Sequence, residues 1–294
     1  MKGLYSNKSA SFHFGLLLYF SFMGFLFGML SEYAISSITA YLTGIESAVL
    51  QDKNFYAMQA SQFFSASLIF LVPAICTAYL CSLKPTIFLN IKKINPKTLL
   101  LSAVMLLLIS PAIDITTYIN SLIPLPELMA KAEALAAEIT EKMLNEKGVF
   151  PLIINILIVC VLAGLAEEFF FRGALLSIIR KTIKNPHIAI WTVAIIFSII
   201  HFQFSGFIPR MFLGAFLGYL LYWTNNIWAP VFAHFLNNTI AVVGYKSGLF
   251  QLSSESAALI SEDTSQEGIY ITIAVAIAGL ILFALCIKKI KEQS

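Results

Sequence analysis

Residues 151–179 read PLIINILIVCVLAGLAEEFFFRGALLSII, an apolar run of membrane-spanning length interrupted by Glu167, Glu168 and Arg172. A helix rises about 1.5 Å per residue and needs about 20 apolar residues to cross a bilayer core of about 30 Å. A charge at the bilayer centre costs at least roughly 2.5–3.5 kcal/mol, so an ionisable group there signals function by default. Here three such groups fall within one stretch of six residues, Glu167-Glu168-Phe169-Phe170-Phe171-Arg172.

The rest of the chain is equally apolar. Its 294 residues are 59% hydrophobic and 12% charged, with a mean hydropathy of +0.83, whereas soluble domains carry about 25% charged residues. The expected fold is all-α: a polytopic membrane protein with about eight transmembrane helices, forming a single membrane domain over residues 1–294. The expected spans are 12–30, 62–81, 98–118, 149–179, 187–202, 207–223, 227–243 and 268–287. The fifth and sixth are short, as tilted or re-entrant segments would be. Ser31-Glu32-Tyr33 follows the first run without a small-residue cleavage site, so that run reads as an uncleaved anchor.

Charge sets the expected orientation. One set of span ends collects Lys2, Lys8, Lys84, Lys92, Lys93, Lys97, Arg180, Lys181, Lys184, Lys288, Lys289 and Lys291. The other has only Lys53, Lys131, Lys142, Lys147, Arg210 and Lys246, with nearly all the acidic loop residues. Lys and Arg favour the cytoplasmic side, which puts both termini there, and short loops fit a bacterial plasma membrane. No basic, aromatic-interleaved patch points to nucleic acid.

Cys76, Cys81, Cys160 and Cys286 form no CxxC pair and fall within or at the ends of spans, so packing is their expected role. Segment 124–148 places Leu128, Leu135, Ile139 and Met143 at helical spacing opposite Glu133, Glu138 and Glu141. It reads as an amphipathic helix on the outer membrane surface, with a lid as the lesser alternative. Residues 253–266 read as a polar, acidic loop.

Glu168 and Arg172 are four apart with Glu on the N-terminal side, the favourable order for a helical ion pair. Pairing makes their burial tolerable, and leaves Glu167, about 100° round the helix, free to work. His201 ends the fifth span and His234 lies in the seventh, with Asn238 on the same face four residues on. His13 and His187 lie at span edges, where interfacial placement explains them. A carboxylate, two imidazoles and an amide suit hydrolysis: the carboxylate takes a proton from water, helped by one imidazole. The other imidazole and the amide then stabilise the oxyanion. Glu167, His201 and His234 equally suit Zn²⁺, with three protein ligands and one position left for water. Spacing does not separate the two chemistries, although HExxH is absent.

Glu-Glu-x-x-x-Arg, then Phe-x-x-x-His, then His-x-x-x-Asn, on successive apolar spans, resembles the CPBP family of CaaX-processing and bacteriocin-processing enzymes. These are also called Rce1-like or Abi intramembrane proteases. The likeness covers residues 151–243, including Asn226-Ile227-Trp228-Ala229-Pro230 before His234, with no departure at Glu167, Glu168, Arg172, Phe197, His201, His234 or Asn238. It implies eight helices around a conical intramembrane cavity open to the cytosol. It assigns Glu167 and His201 to water activation, and His234 with Asn238 to the oxyanion or a metal. The implied substrate is a membrane-associated protein or peptide, prenylated in the family's eukaryotic branch.

The alternatives are a non-proteolytic immunity or scaffold protein that keeps the fold, and an ion-coupled transporter. Repeated halves with matching interrupted spans, which would point to a transporter, are missing. Untilted helices put His234, Glu167 and His201 about 12, 20 and 25 Å from the cytoplasmic end, a spread that tilt or broken helices must close. Gly214 and Gly218 read as a close-packing pair, and Asp114 as a cap or water-facing group. Gln203 and Arg210 border the His201 segment, and Phe169, Phe170 and Phe171 read as lipid-facing and core packing.

Overall fold

The computed structural model describes residues 1–44, 54–248 and 266–292, all helix, turn or coil with no strand among them. The helices are α1 (Ala10–Thr43), α2 (Phe55–Cys81), α3 (Pro85–Phe88), α4 (Pro96–Ser121) and α5 (Glu127–Asn145). They continue as α6 (Val149–Thr182), α7 (Pro186–Ile199), α8 (Phe207–Thr224), α9 (Trp228–Lys246) and α10 (Gln266–Glu292). The acidic loop expected at 253–266 lies outside the described residues up to the start of α10.

Among the described residues, five helices are long and apolar enough to cross a membrane: Ala10–Leu42, Phe55–Cys81, Pro96–Ser121, Val149–Thr182 and Thr272–Glu292. This is an all-α polytopic membrane protein. Helix α7 is apolar but has only 14 residues, about 21 Å of rise. Helices α8 and α9 carry Arg210 and His234. These three lie outside the five candidate spans, α7 by its length alone, yet with the turn after α7 they supply both site imidazoles.

Local sequence explains several boundaries. Asn95-Pro96 and Asn185-Pro186 open α4 and α7 in the same way. Each Asn Oδ1 accepts from the backbone N–H two residues on, at 3.0 and 2.9 Å. Proline then takes the first helical position, where its missing N–H would have had no partner anyway. Inside α6, π-helical turns at Ile156–Leu162 and Phe169–Leu175 interrupt the α pattern, the second beginning directly after Glu168. Such turns widen a helix locally and often mark functional sites.

Helix α6 is the central element, packing against α1, α2, α7, α8 and α9. Every residue from 168 to 176 is buried, as expected of a helix enclosed on all sides. This corrects the lipid-facing reading of Phe169, Phe170 and Phe171. Phe171 is fully enclosed, edge-on to Phe197 at 5.1 Å between centroids. Cys160 is fully buried, as a packing cysteine should be.

Close helix approach follows from glycine. A Cβ on Gly218 would meet Ile190 Cγ2 at 2.8 Å, and one on Gly214 would meet Phe197 Cδ1 at 3.1 Å. These two glycines seat α8 on α7, in line with their small-residue spacing. Gly164 does the same between α6 and α9, where a Cβ would lie 3.2 Å from Phe235 N.

His13, in the first turn of α1, is enclosed by protein. It is fully buried, with Nε2 2.8 Å from Tyr5 O and Nδ1 2.9 Å from Lys181 Nζ, and it ties the N-terminal segment to the end of α6. At the opposite end of α6, Asn155 accepts from Gln59 Nε2 at 2.5 Å and donates to Met143 O at 3.0 Å. That link joins α2, α6 and α5. Helix α5 is the expected amphipathic segment, and its Leu128, Leu135 and Ile139 remain exposed.

Candidate active site

Glu168 and Arg172 are both fully buried and pair as their spacing predicts, with Arg172 Nη1 donating to Glu168 Oε1 at 2.7 Å. Arg172 Nη2 also donates to the backbone oxygen of Gly214 at 2.8 Å, and its Cζ sits 4.6 Å from the Phe197 ring centroid. A guanidinium presents several donors in one plane and a face suited to an aromatic ring, so one residue links α6, α7 and α8.

The same Glu168 oxygen accepts from His234 Nδ1 at 2.8 Å. A carboxylate only accepts, so the proton on that ring sits at Nδ1. His201 Nδ1 lies 2.6 Å from Phe197 O. A carbonyl also only accepts, and the same tautomer follows. Both imidazoles therefore have Nδ1 committed to the protein and turn Nε2 inward.

Both inward nitrogens face Glu167. Its Oε2 is 4.0 Å from His201 Nε2 and 3.9 Å from His234 Nε2, and it is buried without a hydrogen-bond partner among the described residues. The expected depth spread of Glu167, His201 and His234 is thus closed in the folded chain. Gly164, one turn before Glu168, lets α9 approach α6 closely at the level of His234 and Phe235.

His201 stands just beyond α7, in a turn where Phe202 adopts φ 52°. That strap is held from outside. Glu133 of α5 accepts from the backbone N–H groups of Phe204 and Ser205, the latter at 2.9 Å, and from the Ser205 hydroxyl. Asn120 of α4 donates to Phe204 O and accepts from Ile208 N, both at 2.8 Å. Arg210 Nη2 donates to Gln203 Oε1 at 2.8 Å, so these two border residues close on each other.

Asn238 departs from a simple expectation. Its Nδ2 donates to Val159 O at 3.1 Å and its Oδ1 accepts from Asn237. It ties α9 to the first π-helical turn of α6, one helical turn from His234. Sequence reasoning also missed the Phe197 carbonyl, the Gly214 carbonyl, Asn120 and Glu133. Backbone oxygens leave no mark in side-chain patterns, and only Glu133's place opposite an apolar stripe hinted at a role.

Residues 149–240 match the family model described as Type II CAAX prenyl endopeptidase Rce1-like. This range includes Glu167, Glu168, Arg172, His201, His234 and Asn238, so the Rce1-like resemblance holds over the segment that builds the cluster. The chain is also similar to the uncharacterized protein YpbD of Bacillus subtilis (strain 168), 32% identical over 90 residues. That alignment covers 29% of this chain and 43% of YpbD, so the chain spans less than half the length of this curated relative. No solved structure matches.

Proposed function

We propose that this chain is an intramembrane endopeptidase that hydrolyses a peptide bond of a membrane-associated protein or peptide. At the family level the Rce1-like match supports a membrane-embedded CAAX-type protease. The observation that carries the reading to residues is the Glu167 carboxylate, whose buried Oε2 sits between two inward-facing imidazole nitrogens with no hydrogen-bond partner among the described residues.

A water about 2.8 Å from Glu167 Oε2 is also within reach of the imidazole nitrogens. Glu167 takes its proton, with His201 Nε2 accepting from the second O–H, and the water oxygen bonds to the scissile carbonyl carbon. Glu167 then hands that proton to the leaving nitrogen as the C–N bond breaks. His234 Nδ1–H is engaged with Glu168, so His234 donates through Nε2 to the oxyanion as an imidazolium. That charge brings the buried set of Glu167, Glu168, Arg172 and His234 to zero, the state a low-dielectric site tolerates best. Glu168 and Arg172 orient His234. Asn238 steadies α9 and, through its second N–H, is the remaining oxyanion donor.

One observation favours a second chemistry. Histidines that bind metals almost always commit the other ring nitrogen to a carboxylate or a backbone carbonyl, and His234 and His201 do so with Glu168 and Phe197. Glu167, His201 and His234 would hold Zn²⁺, which would polarise a bound water. The donor types fit. Their 3.9–4.0 Å separations exceed the roughly 3.3 Å of tetrahedral ligands at zinc bond lengths, so the site would have to tighten.

Wild type and Glu167→Gln, purified in nanodiscs and offered prenylated and unprenylated membrane peptides with and without chelator, separate these readings. Cleavage by wild type alone supports the peptidase with Glu167 as base. Activity surviving strong chelation favours metal-free chemistry, whereas loss rescued by Zn²⁺ favours the metal. Equal cleavage by both proteins removes Glu167 from the mechanism. A bacterial peptide precursor, signalling peptide or anchored protein is the expected substrate.

A further inference from the structure

The loop between α3 and α4 sits between two cavities of opposite character. Its backbone is pinned to the start of α9: Ile227 N donates to Asn90 O at 2.9 Å, and Asn226 Nδ2 donates to Lys92 O and Lys93 O at 3.3 and 3.0 Å. The Lys92 and Lys93 side chains are exposed and form no ion pair among the described residues. On one side lies a groove of about 810 Å³ walled by Leu99, Val161, Leu165, Val231, Phe232 and Phe235. On the other lies a pocket of about 480 Å³ walled by Asn95, Thr98, Thr224, Asn225 and Asn226. Lys92, Lys93 and Ile94 line both, and none of Glu167, His201 and His234 lines either.

A site that is apolar on one side, polar on the other and doubly cationic between them selects an amphiphile with an anionic head. A peptide strand laid in the groove would find almost no partners for its backbone N–H and C=O groups, which a bilayer setting makes prohibitive. Hydrocarbon chains need none. Basic pockets between transmembrane helices suit anionic lipid head groups, because each lysine adds to the attraction. We propose that this is a binding site for an anionic phospholipid, with acyl chain in the groove, phosphate at Lys92 and Lys93, and head-group hydroxyls in the polar pocket. The groove borders α6 at Val161 and Leu165 and α9 at Phe235, and the proposal does not depend on the peptidase reading.

Native mass spectrometry of the full chain in detergent tests this with phosphatidylglycerol and phosphatidylcholine of identical chains, and with glycerol phosphate as the chainless head. The expected result is roughly tenfold preferential retention of phosphatidylglycerol over phosphatidylcholine. Lys92→Gln with Lys93→Gln should erase that preference, while Lys288→Gln with Lys289→Gln should leave it intact. Val231→Trp or Leu99→Trp, each filling the groove, should reduce retention of both lipids. Thermal midpoints of all variants tell lost binding from lost fold. Equal retention of the two lipids by wild type, a preference that survives the Lys92 and Lys93 changes, or glycerol phosphate held as well as the phospholipid would each overturn the proposal.

Discussion

His234 Nδ1 and Glu168 Oε1 lie 2.8 Å apart, and that one oxygen also accepts from Arg172 Nη1 at 2.7 Å. Glu168 is therefore the joint between a buried ion pair and the imidazole that faces Glu167. Adjacent in sequence, the two carboxylates differ in what engages them: Glu168 holds a cation and an imidazole through Oε1, its Oε2 being left over, while Glu167 Oε2 has no hydrogen-bond partner among the described residues.

That difference predicts opposite responses to the same substitution. Glu168→Gln strips Arg172 of its counter-charge and should destabilise the fold by about 3–5 kcal/mol. Glu167→Gln removes a carboxylate whose Oε2 has no partner and should leave the thermal midpoint unchanged or raised, while abolishing hydrolysis. Thermal unfolding of the two variants in the same detergent decides the matter, and equal losses would refute the assignment.

Arg172→Lys keeps the charge but not the fork. A lysine ammonium cannot reproduce the planar geometry that joins Glu168 Oε1 to Gly214 O, and it loses the stacking on Phe197. The expected cost is about 1–3 kcal/mol, with one buried acceptor left unpaired. A midpoint equal to wild type would show that charge alone suffices.

Gly164→Ala places a methyl 3.2 Å from Phe235 N and should push α9 off α6. Overpacking of this kind costs about 1–3 kcal/mol. A shift of about 1 Å at His234 is enough to lower turnover about a hundredfold. Turnover measured beside the thermal midpoint checks both, and a variant with full activity would exclude this packing as a determinant of the site.

Glu133→Ala removes the carboxylate that holds Phe204 and Ser205 from α5. Amide hydrogen exchange across 202–206 should rise, and turnover should fall roughly tenfold as His201 loses its support. Glu133→Gln, which keeps one acceptor oxygen, should lie between. Unchanged exchange in Glu133→Ala would leave α5 as a surface helix and nothing more.

The all-helical membrane fold and the Glu168–Arg172 pair were legible in the chain because both depend on near neighbours. Apolar length specifies a span, and residues four apart on a helix meet whatever surrounds them. The grouping of Glu167, His201 and His234 was legible only through the order of three motifs. Their separate depths along untilted helices left a spread for tilt or broken helices to close.

What brought them together is long-range. Gly164 sets the α6–α9 distance, π-helical turns re-phase α6 around the carboxylates, and the strap beyond α7 is held by Asn120 and Glu133. The buried faces of Phe169, Phe170 and Phe171, the burial of His13, and the acceptors at Phe197 O and Gly214 O belong to the same class. By itself the sequence determined which segments are helical and which charges must be paired, since periodicity and desolvation act locally. Only the tertiary structure decided which oxygen each imidazole meets and that both Nε2 atoms come to face Glu167, because those depend on helices distant in sequence reaching contact.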